Sequence, residues 1–431
     1  MNYLASTAVT VVASVAATLS CASDVVAAER ELRTFERHAL TNVYYSEGAN
    51  AGDLNNDGNV DAVYGPHWYE GPDFGKKHEI YKPVHQDVNK YSFDNFFSWI
   101  YDFNNDGWND ILVVGIPGTP AIIYENPGKD GFDEHWTRHE VLDRVTNESP
   151  QFVNIVGDER PELICTYYQH YGYATVDWNQ PFEPWTFHKI SDSTAPERFG
   201  HGLGVGDVNG DGRMDVMQLA GWYEQPAENP TGRWNFHLVD FTNGRPNLGG
   251  ADMFAYDVDG DGDNDVVTSL AAHEFGLAWF EQVDNRDGEP KFQIRLIMGK
   301  TPDKNRYGIV FSELHGVNLV DMDGDGLKDI VTGKTYWSHH RQAPQWDAGA
   351  VCYVFKLVRG GDGVDWVPFL ADSDCGIGRQ VSVVDVNGDK MPDIVLGGMK
   401  GGNVLIQRAD QVDEATWQAA QPKVNGSASA D

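Results

Sequence analysis

Nine-residue stretches of the form Asp-x-Asp/Asn-x-Asp-Gly-x-x-Asp recur along this 431-residue chain. The copies are DLNNDGNVD (53–61), DFNNDGWND (102–110), DVNGDGRMD (207–215), DVDGDGDND (257–265) and DMDGDGLKD (321–329). A sixth, DVNGDKMPD (385–393), carries Lys390 in place of the glycine, and a worn seventh, NIVGDERPE (154–162), keeps only Asp158 and Glu162. These are residues for a hard cation, since Ca²⁺ takes about six to eight oxygen ligands. Oxygens at the first, third, fifth and ninth positions are expected to surround one point. The ligands would be Asp53, Asn55, Asp57 and Asp61; Asp102, Asn104, Asp106 and Asp110; and Asp207, Asn209, Asp211 and Asp215. The later loops would use Asp257, Asp259, Asp261 and Asp265; Asp321, Asp323, Asp325 and Asp329; and Asp385, Asn387, Asp389 and Asp393. The expectation is up to six structural Ca²⁺ ions. An EF-hand would need Glu at the twelfth position and flanking helices. That position holds Tyr64, Val113, Gln218, Thr268, Thr332 or Leu396, and β-type runs such as ILVVG (111–115) and IVLG (394–397) follow the loops. The loops therefore join strands.

Successive loop starts lie 49, 52, 53, 50, 64 and 64 residues apart, a period that suits a four-stranded propeller blade. A second repeat, aromatic-x-x-His-x-aliphatic, precedes each new blade, in full at Trp136/His139, Trp185/His188 and Trp234/His237. One more copy, Phe35/His38, lies before the first loop and none follows the last. The predicted fold is an all-β, seven-bladed β-propeller of four-stranded blades over 29–408. An N-terminal outer strand near 34–40 would complete the blade begun by the C-terminal strands and remove a sheet edge. The recurring histidines read as outer-strand packing residues.

The loops also serve as rulers. In a propeller the strand entering each loop is innermost, and one rim gathers a segment from every blade. Six residues before each loop start stand Glu47, Phe96, Glu148, His201, Ala251, His315 and Arg379, five of them ionisable. Six to eight residues after each ninth position, the returning strand brings His67, His170 and His273 to the same rim, with Trp337, His339 and His340 in an expanded loop. Histidines from neighbouring blades plus a glutamate suit Zn²⁺ or a similar transition metal, or a general acid and base.

The loops and blade period resemble the FG-GAP/VCBS repeats found in the head of integrin α subunits and in many secreted bacterial proteins, over about residues 34–408. That resemblance implies the fold and calcium, and it leaves function open, because the same repeats serve adhesion, sugar binding and catalysis. The stretches HGLGVGDVNGDG (201–212), AAHEFGLAWFE (271–281) and ELHGVNLVDMDGDG (313–326) resemble parts of the propeller domain of fungal aldos-2-ulose dehydratase. That family's propeller holds a zinc site for eliminating water from a keto-sugar. The resemblance makes His201, His273 and His315 candidate zinc ligands.

The chain carries 32 basic and 65 acidic residues, a formal charge of −33. Such a chain repels phosphate backbones, which argues against a nucleic-acid partner. The apolar run 4–19 followed by Val26-Ala27-Ala28 reads as a signal peptide over 1–28, although no Lys or Arg precedes the run. Leu19-Ser20-Cys21 leaves a lipid anchor open. No later run is long enough to span a membrane. The expected location is secreted, periplasmic or cell-surface. Cys352 and Cys375 could pair in such a compartment, leaving Cys165 free. Residues 409–431 read as a short tail.

Two functions compete. In the first, the chain is a carbohydrate lyase or dehydratase with a metal at the channel mouth. Glu148 or a spare histidine such as His170 takes the proton, and Arg379 steadies negative charge on the substrate. In the second, it is a non-catalytic module that binds a glycan or another extracellular ligand through Trp and Tyr side chains.

Overall fold

The computed structural model describes residues 30–245, 249–285, 289–336, 343–361 and 363–425. The expected signal peptide, Trp337, His339 and His340 lie outside the described residues. The fold is all-β and propeller-like, with four-stranded blades. In each blade the strand entering an Asp-rich loop pairs with the strand leaving it. A third and a fourth strand then add outward, all antiparallel.

The second strand of each blade is buried along its length, as in Asp110–Val114 and Asp265–Ser269. Both its faces meet neighbouring sheets, so its sequence is a continuous apolar run rather than an alternation. The core therefore lies between sheets. One layer joins Phe103, Leu112 and Ile123 to Leu163, Ala174 and Trp185 of the next blade. Full burial of each such side chain contributes about 1.5–3 kcal/mol.

The N-terminal strand Arg30–Thr41 pairs along Gly402–Val412, from Arg30 opposite Val412 to Ala39 opposite Asn403. It is the fourth strand of the sheet whose other members are Val381–Val384, Asp393–Leu396 and Gly402–Val412. His139 and His237 sit on fourth strands, as packing residues would. They hydrogen-bond Glu125 and Glu224 at 2.8 Å and stack on Phe182 and Trp222 at 4.3 and 4.2 Å.

Three expectations are corrected. The described strands form five separate four-stranded sheets and one of eight strands, not seven separate sheets. The eight-stranded sheet arises because Leu203–Gly206 and Asp252–Tyr256 pair in parallel. Gly204 permits that approach, since a Cβ there would sit 1.9 Å from the Met253 carbonyl oxygen. The C-terminal boundary at 408 is too early. The last strand runs to Val412, and a helix, Glu414–Ala420, follows, with Asp413 accepting a hydrogen bond from the Thr416 N–H. Its Trp417 ring stacks under Arg30, so part of the expected tail is folded. Finally, Cys352 and Cys375 are unbridged. Both lie in an apolar layer with Val331, Val354 and Ile377, and that burial disfavours the thiolate needed for disulfide exchange.

Five of the Asp-rich loops, 53–61, 102–110, 207–215, 321–329 and 385–393, share one hydrogen-bond pattern. The first-position carboxylate accepts the sixth-position N–H, as Asp53 does from Gly58 at 3.0 Å and Asp102 from Gly107 at 2.9 Å. The sixth residue has positive φ, 86° at Gly58 and 90° at Gly107. Lys390 fills that role at φ 70° and donates to Asp385 at 2.8 Å, so a residue with a Cβ is held in a region that disfavours one. Replacing Lys390 with Gly relieves this. Lys390→Gly is expected to raise stability by about 0.5–1 kcal/mol, read as a shift in the urea midpoint at unchanged slope.

Candidate metal centre

The segments just before the inner strands are tied to one another across blade boundaries. Glu47 N–H donates to Asn95 O at 3.0 Å, Arg379 N–H to Glu47 O at 2.7 Å, and Glu148 N–H to Gly200 O at 2.7 Å. Glu313 N–H donates to Glu274 O at 3.0 Å, and Thr335 N–H to Glu313 O at 3.1 Å. These backbone links fix one end of the channel and bring side chains from separate blades to it.

His201, His273 and His315 meet there, each offering a ligand atom within 4.8 Å of the other two. The ring centroids of His201 and His273 are 4.8 Å apart, and those of His273 and His315 are 4.4 Å apart. His315 is buried, whereas the side chains of His201 and His273 keep 16% and 22% exposure, so the group opens to solvent on their side. Behind the rings lies Glu313, fully buried, with Oε2 3.6 Å from His273 Nδ1 and 3.5 Å from His315 Nδ1. Its backbone has φ 63°. An L-residue in that region costs on the order of 1–3 kcal/mol and is kept only where its surroundings fix it. Lys334 is buried beside it and donates from Nζ to Thr335 O at 3.0 Å. Burial pushes the Lys334 ammonium below its usual range, against the opposing pull of Glu313 and Asp347.

Glu148 and Arg379 are drawn together. Arg379 Nε lies 3.1 Å from Glu148 Oε2, and the same oxygen is 3.5 Å from His201 Nε2. Burial alone would raise the Glu148 carboxyl, yet Arg379 and the histidines overcome it and hold it below the usual carboxylate range. A carboxylate so stabilised is a weak base. Arg379 is itself buried, its charge met by Glu148, with its guanidinium over the Tyr91 ring at 4.7 Å. Glu47 behaves oppositely. Burial raises its carboxyl, outweighing Arg379 and the hydrogen bond from the Tyr44 hydroxyl.

His170 does not join the group. Its Nδ1 is 3.0 Å from the Ser191 carbonyl oxygen, beside the turn of the hairpin that pairs Tyr167 with His170. His67 is buried against Tyr45 at 4.9 Å, and burial pushes its imidazole down to about 4. Phe96 and Ala251 pack as apolar members of the ring. Counting from the loops missed Glu313, Lys334 and Tyr91. Two had a visible signal: Glu313 stands two residues before a ring position, and Lys334 is a charge at the buried C-terminal end of the strand Asp329–Lys334.

The donor set fits a borderline metal such as zinc: three imidazoles converge, and one carboxylate lies behind two of them, as outer partners of metal-bound histidines do. The Asp-rich loops fit a hard cation instead. Ligand oxygens of Asp257, Asp259 and Asp265 lie within 4.8 Å of one another, as do those of Asp321, Asp323 and Asp325. In the latter loop the Lys356 ammonium pairs with Asp323 and lies 3.0 Å from Asp325.

Below the ring runs a cavity of about 290 Å³ lined by Arg379, Gln380, Gln151, Asp252, Asn318 and Trp99, among others. Asp252 accepts from Gln151 Nε2 at 3.0 Å and from Val317 N–H at 3.3 Å, and burial pushes its carboxyl up to about 7.

No protein-family model matches the chain, and no curated protein matches it. Similar solved structures include a lectin of Agrocybe aegerita described as recognising non-reducing terminal N-acetylglucosamine. It shares 16% identity over 90% of this chain and 87% of its own, with TM-score 0.46. The V. cholerae biofilm matrix protein Bap1 shares 8% identity over 89% of each chain, with TM-score 0.42. A rhamnogalacturonan lyase of Bacillus licheniformis shares 13% identity over 87% of this chain and 72% of its own, with TM-score 0.38.

Two outcomes follow from the buried charges. Glu148→Met leaves Arg379 without its nearest counter-charge and is expected to cost about 3 kcal/mol in urea unfolding. The double variant Glu148→Met/Arg379→Met should recover most of that. Asp252 is protonated more readily folded than unfolded, so its contribution is full below about pH 4 and is lost as pH rises through about 7. The stability gain of Asp252→Asn over the native chain should therefore grow between about pH 4 and pH 8, by up to about 4 kcal/mol.

Proposed function

We propose that this chain is a secreted β-propeller that acts on carbohydrate by metal-assisted elimination at the channel mouth. The observation that carries the reading is the convergence of His201, His273 and His315 beside Glu148, Glu313 and Arg379. In this reading the eight-stranded sheet counts as two blades sharing inner edges, which makes seven FG-GAP-type blades, and the Asp-rich loops hold structural Ca²⁺.

The three histidines would hold zinc or a similar divalent metal. When bound, such a metal supplies Lewis-acid chemistry, polarising a sugar carbonyl or carboxylate and acidifying the neighbouring C–H. Glu313 orients the rings of His273 and His315. Glu148 offsets charge at His201 and at Arg379, rather than taking the substrate proton. Substrate would arrive over His201 and His273, the two exposed members.

A second reading, glycan binding without turnover, is favoured by the exposed rings of Tyr168 and of Phe199, which stands two residues before His201. Elemental analysis after mild chelation separates the two. The elimination reading expects about one tightly held zinc equivalent beside more weakly held calcium. His201→Ala and His315→Ala should each lose that zinc and reduce formation of the unsaturated product by at least about a hundredfold, with the fold retained by circular dichroism. Zinc-free native protein, or variants with undiminished turnover, would overturn it.

A further inference from the structure

Two arginines stand out in a chain with twice as many acidic as basic residues. Among the described residues, Arg144, Arg160 and Arg198 have no ion-pair partner, whereas the other arginines do. Arg160 lies over the half-buried Trp178 ring, and Arg144 and Arg198 lie over exposed aromatic rings. Arg144 covers Tyr168 at 4.8 Å, and Arg198 covers Phe199 at 4.8 Å. Tyr168 is 48% exposed and Phe199 43%. Both rings are carried on backbone with positive φ, 43° at Tyr168 and 59° at Phe199. At Tyr168 this belongs to the two-residue hairpin turn between Tyr167 and His170, in which Gln169 also has positive φ, 66°, and which presents the ring at its tip.

The two pairs belong to one continuous surface. Thr146 N–H donates to Thr166 O at 3.0 Å, which sets Arg144 beside the hairpin tip that carries Tyr168. Ala195 N–H donates to Gln169 O at 2.9 Å and folds the Phe199 segment against that tip. Gly118 N–H donates to Val145 O at 2.6 Å, while Arg198 Nε donates to the Pro117 carbonyl at 2.7 Å. Gly118 has φ 96°, and a Cβ there would sit 2.7 Å from Arg198 Nε, so the turn leaves the guanidinium its place. The Tyr168 ring is fixed further by its hydroxyl, which donates to Asp143 Oδ2 at 2.9 Å. From Phe199 the chain reaches His201 in two residues, and the Gly200 carbonyl between them accepts from the Glu148 N–H.

We propose that this surface is a binding subsite for the uronate residues of an acidic oligosaccharide whose chain passes on to the histidine centre. An exposed aromatic face takes the C–H face of a pyranose ring. A guanidinium stacked over one face of the aromatic ring, free of a protein carboxylate, receives a sugar carboxylate through two parallel hydrogen bonds while the sugar takes the other face. Two such pairs match a polymer with repeating carboxylates. The whole-protein charge opposes an anionic ligand at long range, so recognition depends on these local contacts and weakens with salt. The proposal rests on the carbohydrate reading above and names its substrate class. A single-stranded nucleic acid would also offer stacking faces and anions, but the net charge of −33 disfavours a phosphate polymer.

The test is calorimetric binding to the full-length chain and to its His315→Ala variant, so that affinity is read with and without turnover. The probes are galacturonate, glucuronate and mannuronate oligosaccharides, the same oligosaccharides as carboxyl methyl esters, and a single-stranded oligonucleotide of similar charge. At least one uronate series should bind both proteins, with its ester and the oligonucleotide at least about tenfold weaker. Arg144→Ala/Arg198→Ala should lose about tenfold for the acid form and little for the ester, and Phe199→Ala should weaken both. Esters or oligonucleotide binding as tightly as the acids, unchanged affinity in the double arginine variant, or no binding of any uronate would overturn the subsite. Uronate binding that survives in a native protein holding no zinc and making no product would keep the subsite and overturn the elimination reading.

Discussion

Every blade with an intact Asp-rich loop is held by a carboxylate that bonds two backbone segments at once. The ninth loop residue accepts from the N–H of the second loop position with one oxygen and from an N–H in or just after the third strand with the other. Asp110 accepts from Phe103 at 3.2 Å and from Asn126 at 2.8 Å, and Asp215 accepts from Val208 and Gln225, each at 2.9 Å. The worn loop preserves the first of these contacts, Glu162 to Ile155 at 3.0 Å, after losing most of its other oxygens. The clamp fixes the distance between the loop and the strands on either side of it, and through them the far rim. It operates in a buried setting. Burial pushes Asp110, Asp215, Asp265 and Asp329 up to about 7 despite the N–H donors that favour their charge. A neighbouring divalent cation would relieve that tension, which links the clamp to the loops' other carboxylates.

This constraint explains why much of the fold could be read from the sequence. Because the loop is rigid and the strands short, a count of six residues from the loop start reaches the rim, and it found His201, His315, Glu148 and Arg379 together. A second count, six to eight residues after the ninth position, reached His273 on the returning strand, where AAHEFGL turns back towards the mouth. It failed where geometry depends on something other than distance along a strand. His170 lies at a similar offset but is turned to the Ser191 carbonyl by its own hairpin. Glu313 adopts positive φ, which no pattern of residue types predicts for a glutamate. The join between Leu203–Gly206 and Asp252–Tyr256 depends on Gly204 meeting a backbone oxygen from another blade, a contact between segments far apart in sequence.

The loops are also less alike than their sequences. In 321–329 the Lys356 ammonium reaches in from the next strand pair to Asp323 and Asp325. In 257–265 Arg359 donates from Nε to the Val258 carbonyl at 2.9 Å and lies 3.8 Å from Asp257. In 207–215 Arg213, from within the loop, pairs with Asp211. The loops 53–61, 102–110 and 385–393 have no comparable ion pair among the described residues. Cationic charge is therefore supplied by side chains on one side of the molecule, while on the other the carboxylates face one another with only amide groups between them. Repulsion among like charges makes the second group the more dependent on a bound ion.

The mouth applies the opposite arrangement to its charges. There, burial removes water, so each charge must be met by another nearby. Arg379 sits between Glu148 and Glu47, and the two glutamates divide, one held ionised and the other pushed towards its protonated form. Glu313 is enclosed by His273, His315 and the Lys334 side. Such a network has little freedom to repack, because removing any one member strands the others. It brings the three imidazoles within reach of one point, and a metal entering from the exposed His201 and His273 side would meet donors already close together. Preorganisation of that kind places binding at the rim, where ligands can reach it, and leaves the buried pair beneath to hold shape.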